Sequence, residues 1–153
     1  MNDNHSRVVK QLAGVWHLVS SEFISSGGER IFPLGEDALG LAIFTESGYM
    51  SGQLMRQGRP VFASGNQASG TPEEIEAAMQ GYVSYYGPCQ IDAERKTLTT
   101  EVEGSLFPNW IGCQHVRYYE LAERQIILKT PPLAFGEEEI TGVLTWSRAE
   151  QGD

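Results

Sequence analysis

The sequence contains few cysteines and no apolar segment long enough to cross a membrane as a helix. Cys89 and Cys113 are the two cysteines among 153 residues, which does not suit a small fold held together by disulfides. We expect both thiols to be free. A disulfide between them is the alternative that the sequence does not exclude. No run approaches the roughly 18 apolar residues of a membrane helix, and the first residues lack the apolar stretch of a signal peptide. These features favour a cytoplasmic protein.

Basic residues are also scarce. Eleven Lys and Arg stand against 20 Asp and Glu, which gives a formal net charge of −9. Because a phosphate backbone needs a basic surface, this balance disfavours nucleic acid and anionic membranes as partners. A small neutral or apolar molecule fits better. The sequence does not decide the oligomeric state and leaves a homodimer open.

Motifs of metal and nucleotide sites are missing. The chain has no CxxC, HExxH, EF-hand loop, P-loop or GxGxxG pattern, and its three histidines are scattered. We therefore expect neither a metal ion nor a cofactor. Ser105 lacks the Gly-x-Ser-x-Gly context of a hydrolase nucleophile.

The chain does contain many short strand-like runs, with several of its 17 Gly and 7 Pro at the turns between them. Eight strands are predicted, at residues 13–25, 40–45, 49–56, 82–92, 97–104, 113–121, 125–130 and 140–148. Eight antiparallel strands close into an up-and-down barrel just wide enough for a small ligand. The prediction is therefore an all-β fold in one domain.

A single short helix is predicted between strands three and four. Thr71 is its N-cap, Pro72 occupies the first turn, Glu74 completes a capping box and Gly81 ends it. We expect this helix to plug or cover one barrel end. Residues 1–11 are predicted to be a polar lead that ends in a helical turn, residues 12–148 the barrel, and residues 149–153 a polar tail.

The first strand organises the rest of the prediction. Gly14 permits a bend or a close approach of another chain segment, and Trp16 needs a buried environment. Because the first and last strands of such a barrel pair, Arg148 would lie on the ring of Trp16 as a cation–π contact. The alternative is two unrelated strands, each with its own core tryptophan.

Five segments resemble a known family when taken in order. They are Gly14-x-Trp16, the stretch from Gly40-Leu41 to Gly48-Tyr49-Met50, Tyr-Val-Ser-Tyr-Tyr-Gly at 82–87, Ser-Leu-Phe-Pro-Asn-Trp-Ile-Gly at 105–112, and Trp146-Ser147-Arg148. Over nearly all of residues 12–148 the chain resembles the bacterial and fungal lipocalin-like domain family. The resemblance implies an eight-stranded lipocalin-like barrel. Some barrels of this kind carry ligands, and others act as isomerases, cyclases or hydratases in secondary metabolism.

Two positions depart from the pattern of that family. Such sequences often have a His pair where Thr100-Glu101 stands and a Tyr where Cys89 stands. The resemblance therefore implies a pocket that is less basic and roomier at this wall.

Alternation along the sixth predicted strand places Cys113, His115, Arg117 and Tyr119 on one face, which the resemblance favours as the interior. A buried Arg must be paired, so Arg117 is a candidate to bind a carboxylate, enolate or carbonyl oxygen of a ligand. The alternatives for Arg117 are an internal salt bridge or a solvent-exposed position at the barrel rim. His115 is a candidate acid or base, or a structural histidine.

The remaining candidates lie on other strands and in the apolar segment 103–112, which we expect to fold over or into the barrel mouth. Tyr85 is a candidate to donate a hydrogen bond to a ligand carbonyl, or a core aromatic residue. Trp16 and Arg148 are assigned structural roles. The predicted ligand-binding residues are Tyr49, Gln53, Thr100, Phe107, Trp110 and Tyr119.

Three functions fit these features. The first is a barrel that binds a small apolar or aromatic molecule. The second is a cofactor-free cyclase or isomerase of secondary metabolism that uses Arg117, His115 and Tyr85 as catalytic residues. The third is a structural barrel filled by its own side chains.

Overall fold

The structure, a computed structural model, describes residues 3–149 and is a closed antiparallel β-barrel of eight long strands. They are β1 (Gly14–Ser25), β3 (Leu39–Phe44), β4 (Tyr49–Met55), β5 (Tyr82–Asp92), β6 (Thr97–Glu101), β8 (Gln114–Leu121), β9 (Gln125–Lys129) and β11 (Glu138–Arg148). Each pairs with the next in this order, and β11 pairs with β1 to close the barrel. The predicted fold class is confirmed.

Three short strands extend the wall at one end. They are β2 (Arg30–Ile31) beside β1, β7 (Gly104–Ser105) beside β5, and β10 (Leu133–Phe135) beside β11. The predicted strand 97–104 is thus divided into β6 and β7. At the division Gly87 lies so close to β6 that a Cβ there would be 1.9 Å from the Glu101 carbonyl oxygen, so only glycine fits.

Two helices lie at opposite ends of the barrel, whereas the sequence predicts one helix and a helical turn. Helix α2 (Pro72–Gln80) joins β4 and β5 and has the predicted cap, with Thr71 accepting from the Glu74 amide. Of the two expected roles of α2, plugging the barrel is wrong because none of its residues is buried; covering the barrel end stays a prediction. No helix within residues 3–149 is long and apolar enough to cross a membrane.

Helix α1 (Asp3–Leu12) is the one that buries side chains in the core. Val8 and Leu12, one helical turn apart on the same face, join the core cluster at the end of the barrel where β1 begins. This segment overlaps the predicted polar lead, of which Met1 and Asn2 lie outside the described residues. Of the predicted tail 149–153, only Ala149 is described.

The barrel is closed where Arg148 meets Trp16. These residues are partners in the β1–β11 register, and the Arg148 guanidinium lies 4.2 Å from the centroid of the Trp16 ring. Trp16 is fully buried, and its Nε1 donates to the Leu12 carbonyl at 2.9 Å. The predicted pairing and cation–π contact are both present.

Arg148 also ties three chain segments together through backbone carbonyls. Its Nη1 donates to Ala13 at 2.9 Å, its Nε to Glu123 at 3.3 Å, and its Nη2 to Gln11. Gly14, at φ +129°, leaves room for this guanidinium, since a Cβ there would lie 3.0 Å from Nη1. A single side chain therefore joins α1, β1 and the β8–β9 turn.

We expect Arg148→Met to lower the free energy of unfolding by about 2–4 kcal/mol, because it removes charge-assisted hydrogen bonds and the cation–π contact. Urea denaturation followed by tryptophan fluorescence measures the loss. The exposed Arg95 makes only a 4.0 Å contact with Asp92, so Arg95→Met should change stability by less than about 0.5 kcal/mol. Equal effects of the two substitutions would contradict the role of Arg148 in joining α1, β1 and the β8–β9 turn.

Candidate functional site

A row of polar side chains crosses three strands on the interior face of the barrel. Cys89 of β5 is the register partner of Thr100 of β6, which in turn is the partner of His115 of β8. Cys89 and Thr100 are buried. Burial raises the pKa of the Cys89 thiol to about 11, so it is a neutral thiol at physiological pH. The row is therefore a polar but uncharged strip of wall.

His115 lies at the α2 end of this row inside an aromatic cluster. Its ring centroid is 4.9 Å from that of Tyr85 and 4.8 Å from that of Trp110, both edge-to-face. Its Nδ1 is buried and has no hydrogen-bond partner. Desolvation, aided by the nearby charge of Arg117, lowers the pKa of His115 to about 4. The imidazole is therefore neutral near pH 7 and has an unused polar atom.

The apolar segment between β6 and β8 brings Trp110 to this cluster. Here β7 pairs with Tyr85 and Tyr86 of β5, and a 3₁₀ turn at Pro108–Trp110 follows. Phe107 packs edge-to-face on Trp110 at 5.5 Å but remains partly exposed. The segment thus folds over the α2 end, as the sequence predicted.

Arg117 lies one alternation further along β8, partly buried, beside Leu98 of β6. Within residues 3–149 no carboxylate lies within ion-pair distance of its guanidinium, so the described residues form no internal salt bridge with Arg117. Instead Nη1 donates at 2.8 Å to the carbonyl of Val116. This acceptor is unusual, because a strand carbonyl ordinarily pairs with the next strand.

The neighbouring strand explains why the Val116 carbonyl is available. Strand β9 pairs with β8 only from Tyr118, the partner of Lys129, to Leu121. Two residues further, the same register would place Val116 opposite Pro131, which has no N–H to donate. The Arg117 guanidinium therefore takes the place of the missing proline N–H. This hydrogen bond uses Nη1 and leaves the N–H groups of Nε and Nη2 available to other acceptors.

Two further polar groups are buried inside the barrel without a partner. They are the hydroxyl of Tyr119, on the same face as Arg117, and the indole N–H of Trp146 on β11. Tyr119 and Trp146 are 6% and 3% exposed, so solvent does not satisfy them. Trp146 was not among the predicted site residues, although its alternation with Leu144 and Arg148 on the last strand could have indicated it.

Two predicted ligand-binding residues face the wrong way. On β4, Met50 and Leu54 are buried, so the alternate residues Tyr49 and Gln53 point to the outer face. Gln53 there accepts a hydrogen bond from Tyr82. The prediction that Tyr49 and Gln53 line the interior is wrong. Their apolar neighbours Met50 and Leu54 indicate which face of β4 is buried. Cys113 is likewise exposed, just before β8 begins.

A cleft of about 190 Å³ opens beside the aromatic cluster at the α2 end. It is lined by Met79, Gln80, Tyr82, Val83, Ser84, Leu106, Phe107 and Trp110. Most of these side chains are apolar or aromatic, and Trp110 separates the cleft from His115. A larger depression of about 920 Å³ lies on the outer face of β5, β6 and β8, away from the interior groups.

Comparison with known proteins agrees with this geometry. Residues 13–149 match the family described as lipocalin-like domain. The 4'-hydroxy-3'-methoxypropiophenone carrier protein ppsC of Aspergillus oryzae is 36% identical over 106 residues, covering 65% of this chain and 96% of that protein.

We expect the His115 imidazole to make stability depend on pH. The unfolded chain binds this proton near pH 6.5, whereas the native state binds it only near pH 4. Its contribution is therefore fully present above about pH 6.5 and is lost as the pH falls toward 4. Urea denaturation at pH 7 and pH 4.5 should show a smaller loss for His115→Gln than for the native sequence. Identical losses would contradict the buried, neutral histidine.

A double-mutant cycle tests whether the Arg117 guanidinium replaces the N–H donor that Pro131 lacks. Arg117→Met alone should cost about 1 kcal/mol or more, because the Val116 carbonyl loses its donor. In a Pro131→Ala background an amide N–H is restored, so the same substitution should cost less. Chemical denaturation of the four proteins gives the coupling energy. Additive effects would mean that Pro131 does not determine the Val116–Arg117 bond.

Proposed function

Because this chain belongs to the lipocalin-like domain family, we propose that it holds a small apolar or aromatic molecule inside its barrel. The observation that carries the proposal is the set of buried polar atoms without partners, on His115, Tyr119 and Trp146. Leaving such an atom unsatisfied costs about 1–3 kcal/mol. A bound molecule that supplies their hydrogen bonds would recover that cost.

The surroundings of His115 suit an aromatic molecule. The Tyr85, Trp110 and His115 rings meet edge to face at the α2 end, with centroid separations of 4.8–5.9 Å. Such a cluster favours another ring through shape and quadrupole interactions. Because Trp110 lies between the adjoining apolar cleft and His115, a molecule would pass from the cleft to the interior by displacing the Trp110 ring.

The relative from Aspergillus oryzae supports a carrier role. Its name describes a carrier of 4'-hydroxy-3'-methoxypropiophenone, an aromatic ketone with a ring hydroxyl. A hydroxyl and a ketone oxygen are groups that the unpartnered N–H and O–H atoms would bind. We therefore take this compound as the first test ligand for the present chain, without assuming that it is the natural one.

A cofactor-free cyclase or isomerase is the second candidate, favoured by the neutral His115 beside Arg117. A neutral imidazole with a free ring nitrogen can accept a proton, and an adjacent guanidinium can stabilise an enolate oxygen. Tyr85 would then position the substrate through its ring contact with His115. The two functions differ in whether the bound molecule is recovered unchanged.

Isothermal titration with 4'-hydroxy-3'-methoxypropiophenone tests the proposal. We expect one molecule per chain, and at least tenfold weaker binding for Tyr85→Leu because the cluster loses the ring that contacts both Trp110 and His115. Tyr49→Leu is the matched control on the outer face and should bind as the native sequence does. Equal losses in both variants would place the ligand outside, and absence of binding would favour a filled barrel.

Chromatography of the recovered compound separates the two functions. A carrier returns 4'-hydroxy-3'-methoxypropiophenone unchanged after prolonged incubation, whereas a changed compound would favour the enzyme.

A further inference from the structure

All the carboxylates of the described residues lie outside the barrel interior. Every Asp and Glu between residues 3 and 149 is exposed except Glu22 and Glu74. Glu22 forms an ion pair with Arg30 on the outer surface, and Glu74 accepts from the Thr71 and Ala63 amides at the start of α2. The chain has a net charge of −9, yet no carboxylate of residues 3–149 is buried in the interior.

The interior nevertheless contains a cation. Arg117 is on the same face of β8 as the buried Tyr119, and its one hydrogen bond goes to the Val116 carbonyl. Arg148, the other arginine packed against the core, is committed to three backbone carbonyls at the α1 end. A guanidinium has five N–H donors, so most of those on Arg117 remain available.

The polar groups beside Arg117 on the interior face of β8 carry no charge that could pair with it. The lowered pKa of His115 keeps its imidazole neutral near pH 7, and the raised pKa of Tyr119 keeps its hydroxyl protonated. Tyr119 lies two residues from Arg117 along the strand, which is about 7 Å. A partly buried positive charge is costly unless it is paired, and nothing in the described part of the chain pairs it. The missing component is an acceptor with negative charge.

We propose that the ligand of this barrel is an acid, and that its carboxylate or phenolate oxygen is bound by the Arg117 guanidinium. The inference rests on the proposed interior binding and narrows it to one chemical class. A planar anion suits the fork of N–H groups on an arginine. The aromatic cluster at the α2 end then receives the apolar part of the molecule.

A matched pair of probes tests this inference. The probes are 2-naphthoic acid, which is a carboxylate at pH 7, and its methyl ester, which is neutral. Titration by quenching of tryptophan fluorescence gives both affinities. We expect the native sequence to bind the acid about 10- to 100-fold more tightly than the ester, the range of one charge-assisted hydrogen-bonded pair.

Substitutions assign that preference to one side chain. Arg117→Met should bring the acid-to-ester affinity ratio close to one, and Arg117→Lys should retain part of it. Arg30→Met, which removes an arginine from the outer surface, should leave the ratio unchanged. If Arg117→Met does not fold, the acid-to-ester affinity ratios of the native sequence and of Arg117→Lys still test whether Arg117 binds the carboxylate.

The outcomes separate this inference from the proposed function. Ester binding equal to acid binding in the native sequence would overturn the acid class while leaving interior binding intact. An acid preference that survives Arg117→Met would overturn the role of Arg117. Failure of the native sequence to bind either probe or 4'-hydroxy-3'-methoxypropiophenone would overturn both proposals.

Discussion

The contact between Arg148 and Trp16 is the interaction on which the rest of the barrel depends. It joins the last strand to the first, and the same guanidinium reaches the end of α1 and the turn between β8 and β9. Closure at this point leaves no free edge between β1 and β11. At the adjacent end α1 packs Val8 and Leu12 against the core, and at the opposite end an apolar cleft opens beside the aromatic cluster.

A second arginine has a different relation to the backbone. Arg117 donates a hydrogen bond to the Val116 carbonyl, which faces a proline without an N–H. This bond gives the guanidinium a fixed position on the interior wall. The side chain is therefore held without a carboxylate, and its charge stays available to a ligand. The two arginines thus have different roles: Arg148 joins the last strand to the first, and Arg117 places a positive charge on the interior wall.

Much of the fold could be predicted because alternation, turn residues and capping residues act locally. The boundaries of β5 and the cap of α2 follow from a few adjacent residues. Helix α1 was underestimated because only Val8 and Leu12 of a mostly polar segment enter the core. Tyr49 and Gln53 were assigned to the wrong face, since that choice requires comparison with Met50 and Leu54. The relation of Arg117 to Pro131 depends on the β8–β9 register, which no local pattern determines.

We propose that ligands bind among the unpartnered polar groups of the interior. The indole N–H signals of the three tryptophans report on it directly in a ¹H–¹⁵N spectrum recorded with and without 2-naphthoate. We predict that the signals of Trp110 and Trp146 shift, whereas that of Trp16, already bonded to the Leu12 carbonyl, stays in place. Saturable binding that leaves Trp110 and Trp146 unchanged would place the ligand outside the barrel and contradict the account.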